Sequence, residues 1–68
     1  MIKFYSKRNC GACTLVRDRL KQFGIKYTEI FDHTHSAPML EYRGCYLRAP
    51  ITTTQLRNYL VSINILQG

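Results

Sequence analysis

The sequence predicts an α/β fold of order β-α-β-β-β-α, a mixed four-stranded sheet with two helices. Three observations predict it. A short apolar run at residues 2–5 leads, after a polar loop, into a pattern of helical period that ends at Phe23. Two short β-forming runs, Met39–Tyr42 and Cys45–Arg48, flank Arg43-Gly44 at the spacing of a two-residue hairpin. A second helical stripe, Leu56, Tyr59, Leu60 and Ile63, closes the chain. With 68 residues the chain is read as a single small domain, residues 1–68.

Each element has a local reason. Ile2-Lys3-Phe4-Tyr5 reads as a short buried strand, and residues 6–9 as a polar loop in which Asn9 or Cys10 caps the first helix. Ala12, Leu15, Val16, Leu20 and Phe23 form the expected apolar stripe, opposite Arg17, Asp18, Arg19, Lys21 and Gln22. Gly24 is the natural helix stop. Residues 26–31 are rich in β-formers and supply the second strand. Strand, helix and strand then make a βαβ unit, with parallel strands and a right-handed crossover. Residues 32–36 are a polar connector holding His33 and His35, and Ala37-Pro38 precedes the third strand. Cys45, in the fourth strand, reads as a small apolar residue packed in the sheet, the alternative being a regulatory or glutathionylated thiol. Ala49-Pro50 ends that strand, and Thr52, Thr53 or Thr54 caps the last helix. Ile65-Leu66-Gln67-Gly68 is a loose tail or a small hydrophobic contact.

Composition narrows the function class. An apolar fraction of 46% is ample for a folded core and too high for a disordered chain. Three cysteines, an odd number, argue against a closed disulfide framework of the secreted type. The N-terminus lacks the uninterrupted apolar stretch of a signal peptide, and no run approaches the roughly 18 apolar residues of a membrane span. These features predict a soluble cytoplasmic protein, and few exposed apolar stretches predict a monomer. Ten Lys+Arg against four Asp+Glu give a net charge of +6, which favours acidic partners. The basic residues are scattered without the dense run and stacking aromatics of a nucleic-acid site.

Cys10-Gly11-Ala12-Cys13 is the most informative segment. Two cysteines three apart, between a strand and a helix, share one turn at the helix start. Free N–H groups and the positive end of the helix dipole favour the thiolate there. Lowering a cysteine pKa from roughly 8.5 to about 7 raises the thiolate fraction at neutral pH from a few per cent to about half. Lys7 and Arg8 add positive charge just before the first cysteine. Cys10, ahead of the helix body, is the expected nucleophile, and Cys13, one turn further in, the expected resolving thiol.

The element order is the minimal one of a thioredoxin-like fold, and the run Phe4-Tyr5-Ser6-Lys7-x-x-Cys10-x-x-Cys13 resembles the start of a glutaredoxin. Ser36-Ala37-Pro38-Met39-Leu40 resembles the family's Thr-Val-Pro segment before its third strand, and the Gly44 hairpin and last helix match the remainder. The chain is also similar to the small glutaredoxin-like electron donors of ribonucleotide reductase, which thioredoxin reductase recharges. The resemblance implies thiol–disulfide oxidoreductase activity on protein or glutathione mixed disulfides. It implies glutathione as a reductant, with no bound cofactor and no metal. It implies a cis Pro38 beside Cys10, with the Ala37 backbone pairing to an extended peptide or glutathione. By the same resemblance Lys7 contacts a glutathione carboxylate and Tyr5 lines the groove.

The chain departs from the family in three places. About six residues join Phe31 to Pro38, too few for the second helix that glutaredoxins usually place there. Gly11-Ala12 stands where many have Pro-Tyr, and Leu47-Arg48-Ala49-Pro50 replaces the Gly-Gly-Asp stretch that helps hold glutathione. Two readings compete with the redox one. A non-catalytic adaptor would keep the fold and bind an acidic partner through its basic face. A zinc module would use Cys10, Cys13, His33 and His35, although His-x-His is not the usual ligand spacing.

Overall fold

In the computed structural model, which describes residues 1–31 and 37–66, the six elements appear in the expected order. They are β1 (Ile2–Ser6), α1 (Gly11–Gln22), β2 (Tyr27–Phe31), β3 (Met39–Tyr42), β4 (Cys45–Arg48) and α2 (Thr53–Ser62). The sheet order is β2-β1-β3-β4, with β1 parallel to β2 and antiparallel to β3, and β3 antiparallel to β4. Among the described residues no helix lies between β2 and β3. The predicted connector at residues 32–36 falls outside them.

Alternation along β1 decides where the core sits. Ile2, Phe4 and Ser6 are fully buried, whereas Lys3 and Tyr5 point to the other face. The buried set packs with Val16 and Leu20 of α1, Leu40 of β3, and Leu56 and Leu60 of α2. Both helices therefore cover the same face of the sheet. Tyr27 of β2 adds an edge-to-face contact with Phe4 at 5.8 Å between ring centroids. Each fully buried Leu, Ile or Phe in this layer contributes roughly 1.5–3 kcal/mol relative to an exposed one.

The two helices end in the same way. After α1, Gly24 takes φ +70°, its N–H donates to Lys21 C=O and the Ile25 N–H donates to Leu20 C=O. After α2, Asn64 takes φ +62°, its N–H donates to Val61 C=O and the Ile65 N–H donates to Leu60 C=O. This is the Schellman arrangement, with its hydrophobic residue just past the cap packed back on the core. Ile65 and Leu66 are thus held against the core rather than loose; Gln67 and Gly68 lie outside the described residues. The N-terminal cap of α2 is Thr52, whose hydroxyl accepts from Gln55 N–H while the Gln55 side chain accepts from Thr52 N–H. Arg43 and Gly44, at φ +50° and +83°, form the tight hairpin turn, and Glu41 accepts the Gly44 N–H at 2.8 Å.

Two expectations are corrected. Ala12 and Leu15 are exposed, Leu15 by 60%, because the buried face of α1 runs through Cys13, Val16 and Leu20. Cys13 takes the core position that the pattern had given to its neighbour. Cys45 is exposed rather than packed, because it lies next to the hairpin turn on an edge strand. Leu56, Tyr59 and Leu60 are buried as expected, with Ile63 partly buried against them.

Candidate redox site

β1 delivers the chain to the site. Asn9, at φ +55°, turns the loop into α1, and Cys10 takes the extended conformation of an N-cap. Small Asx-type residues tolerate the left-handed region that this turn requires. Cys10 C=O accepts the first intrahelical bond from Thr14 N–H at 3.2 Å, and the Thr14 hydroxyl adds a second at 3.3 Å. The capping atom is sulfur: the Cys13 N–H donates to Cys10 Sγ at 3.1 Å.

That bond matters chemically. In the Cys10–Cys13 disulfide the bond is to a neutral sulfur. In the reduced protein an N–H at that place favours the thiolate, as does the partial positive charge at the N-terminal end of a helix. No acidic residue occupies the first turn of α1 to oppose it. Lys7 and Arg8 are exposed in the loop before Cys10 and make no ion pair among the described residues. Cys10 is partly buried, whereas Cys13 is only 1% exposed and belongs to the core. The two are joined as a disulfide, with Cα atoms 5.2 Å apart.

The Ala37–Pro38 peptide bond is cis, and Pro38 is buried. Tyr5 pairs with Met39 in the antiparallel β1–β3 ladder, so continuing that register sets Pro38 beside Ser6 and Ala37 beside Lys7. The proline therefore sits at the end of the sheet from which the loop runs to Cys10. Ala37 is half-buried at the core's margin, and Tyr5 is half-buried on the sheet face away from the helices. The sequence-predicted residues Lys7, Cys10, Cys13, Ala37 and Pro38 thus gather at one end of the sheet. Tyr5 lies on the opposite face. His33 and His35 are outside the described residues, and among the described residues no three His, Cys, Asp or Glu side chains form a metal-holding group.

Sequence reasoning missed a polar network between α1 and the two parallel strands. Ser6, fully buried, donates its hydroxyl to Glu29 at 2.8 Å, and Arg17 grips the same carboxylate with Nε at 3.0 Å and with Nη2. The Arg17 guanidinium holds the Glu29 carboxyl below its usual range, against the opposing effect of burial. Arg17 also lies over the Phe4 ring, 5.9 Å from its centroid. Ser6 ends β1 just before the Cys10 loop, and Arg17 is one helical turn beyond Cys13. The network ties the dithiol helix to both strands of the βαβ unit.

The crystal structure of the thioredoxin-like protein BC3987 superimposes on this chain with a TM-score of 0.76 at 20% sequence identity, covering 88% of this chain and 100% of that one. The fold is thioredoxin-like. No protein-family model matches the sequence, and no curated protein does. A thioredoxin-like fold carrying a Cys-x-x-Cys pair at the start of its first helix is compatible with thiol–disulfide exchange.

Proposed function

We propose that the protein is a glutaredoxin-like thiol–disulfide oxidoreductase that reduces protein disulfides or glutathione mixed disulfides. The observation that carries this reading is the Cys10 sulfur, which caps α1 and accepts the Cys13 N–H. In the reduced protein the Cys10 thiolate attacks one sulfur of a substrate disulfide. A Cys10–substrate disulfide forms, the substrate S–S bond breaks, and the departing thiolate takes a proton from water. Cys13 Sγ then attacks Cys10 Sγ and passes its proton to the departing substrate sulfur. That second substrate sulfur leaves as a thiol, and the Cys10–Cys13 disulfide remains.

Two electrons have passed from the dithiol to the substrate. Regeneration needs an external dithiol or two thiols, for which we propose glutathione or thioredoxin reductase. Ribonucleotide reductase is among the acceptors that the reading admits. Lys7, Ala37 and Pro38 are its proposed substrate-binding residues, and Tyr5, on the opposite face of the sheet, is not among them. The cytoplasm, which keeps such a dithiol reduced, is the compartment that suits this direction of transfer.

The test compares wild type, Cys10→Ser and Cys13→Ser on a glutathione mixed disulfide and on insulin. Each runs with glutathione and its reductase, then with thioredoxin reductase. Turnover should vanish in Cys10→Ser, while Cys13→Ser should trap a mixed disulfide of the protein mass plus substrate. The reductant that sustains turnover identifies the recharging system. A folded wild-type protein inactive with both reductants overturns the reading, and salt-sensitive binding to an acidic partner that survives Cys10→Ser would put the adaptor in its place.

A further inference from the structure

Exposed Leu15 marks a surface feature beside the dithiol. Leu15 and Arg19 of α1 face Ile51, Thr52 and Thr53 at the start of α2, across a cleft of about 180 Å³. Buried Val16 and Leu56 close its base. Leu15 is 60% exposed and forms one wall of the cleft. Ala12, between the two cysteines, is exposed one turn before it on the same side of the helix. Ala12 and Leu15 thus lie in line between the Cys-x-x-Cys turn and the cleft. Leu15 is five residues beyond Cys10, about 7.5 Å along the helix axis.

The size of the cleft selects its occupant. An apolar cavity of roughly 150 Å³ holds a benzene ring, whereas whole small-molecule sites run from about 300 Å³ upward. This cleft therefore takes one aromatic or branched aliphatic side chain. Charge selects the neighbour. Arg19 is the ionisable group lining the cleft; its Nε donates to Thr53 Oγ1 at 3.0 Å and its Nη1 to Gln22 Oε1 at 3.1 Å. Among the described residues it has no carboxylate partner. Neither helix has an acidic residue in its first turn.

We propose that this cleft is the docking site for the protein substrate: an extended, acidic segment of the disulfide-bearing partner that inserts one large apolar side chain between Leu15 and Ile51 and sets a carboxylate on Arg19. The proposal rests on the oxidoreductase reading and names the kind of substrate it takes. An extended chain advances about 3.3 Å per residue, so a side chain two or three positions from the cysteine joined to Cys10 reaches the cleft.

The test uses reduced protein in single turnover against disulfide-linked dimers of eight-residue peptides, each peptide with one cysteine. Three positions from the cysteine the peptides carry Leu or Ser, followed by Glu or Lys. Bis(2-hydroxyethyl) disulfide, too small to span the distance, is the control. Wild type should reduce the Leu/Glu peptide about tenfold or more faster than the Ser/Lys peptide. Leu15→Glu should abolish the preference for Leu, and Arg19→Glu should invert the preference between Glu and Lys. Each variant's peptide rates are read relative to its own rate on the control, because a new carboxylate on α1 also acts on the Cys10 thiolate.

Equal rates for all peptides in wild type overturn the docking proposal while leaving the oxidoreductase reading intact. So does a loss in Leu15→Glu that the control shares in full. Failure of wild type to reduce even the control overturns both. Concentration-dependent dimerisation that Leu15→Glu removes would assign the cleft to a second copy of the chain, and would also overturn the proposal.

Discussion

Glu29 is bound from two sides, and each contact depends on its negative charge. Arg17 lowers its proton affinity by a hydrogen-bonded ion pair, burial opposes this, and the Ser6 hydroxyl adds to the lowering. A carboxyl whose folded pKa is depressed contributes its full stabilisation above its unfolded value, about 4.3. That contribution is lost as pH falls through the lower, folded value. Replacing Glu29 with Gln keeps the size of the side chain and removes the charge, leaving Arg17 unpaired. Glu29→Gln should destabilise the protein at pH 7 by about 1–3 kcal/mol. Urea unfolding from pH 7 to pH 2 should then show the two proteins converging below about pH 4. A gap that stays constant to pH 2 would mean that the network holds the chain by shape rather than by charge.

At the scale of elements, Tyr59 links α2 to the hairpin through its hydroxyl, which donates to Cys45 C=O at 2.6 Å. Burial, reinforced by the charges of Cys45 and Glu41, pushes the Tyr59 hydroxyl up to about 12. An unfolded tyrosine ionises near 10. The stabilisation is therefore complete below pH 10 and falls away as pH rises toward 12. Tyr59→Phe should cost about 1 kcal/mol at pH 8 from the lost hydrogen bond. Its unfolding curve should lack the alkaline loss, so the wild-type advantage should vanish by about pH 12. Parallel alkaline limbs would assign the loss to other groups.

The elements themselves were largely legible in the sequence, because period and turn chemistry are local. Gly24, Gly44 and the Thr52–Gln55 pair each announce a boundary that the structure places there. Cys45 was misjudged because a four-residue strand reads alike whether central or at an edge, and sheet order is set by pairings far along the chain. Ala12 and Leu15 lie off the core because Cys13, a residue of the site's chemistry, is also a core residue and turns the buried face of α1 away from them. The Ser6–Glu29–Arg17 network could not be read at all: its members are 23 and 12 residues apart and meet only once the crossover is built. The site was legible where its spacing is local, at Cys10 and Cys13. The cleft was not, since it needs two helices to be brought side by side.

Charge acts on the whole molecule rather than on any one contact. Ten basic side chains against four acidic ones leave +6 on a body whose longest dimension is 32 Å. Among the described residues the ion pairs are Lys3–Glu41, at 3.9 Å, and the Arg17–Glu29 pair, so most of the basic side chains have no carboxylate partner there. The Debye length is about 30 Å at 10 mM salt and about 8 Å at 150 mM. At the lower concentration every charge therefore feels nearly every other; at the higher one only near neighbours do. The unfolded chain spreads its charges further apart, so screening should relieve the folded state more. Adding sodium chloride from 10 to 150 mM at pH 7 should stabilise the protein by on the order of 1 kcal/mol. In a chain of this size that corresponds to a melting temperature higher by about 4–8 °C. Arg17–Glu29 is partly shielded from solvent and should lose little to the same salt, so Glu29→Gln should rise in parallel with wild type. If melting temperature falls with salt in wild type and not in Glu29→Gln, the paired charges outweigh the unpaired ones. The basic surface would then be a cost that the fold has neutralised, and the folded chain would have little to gain from an acidic partner.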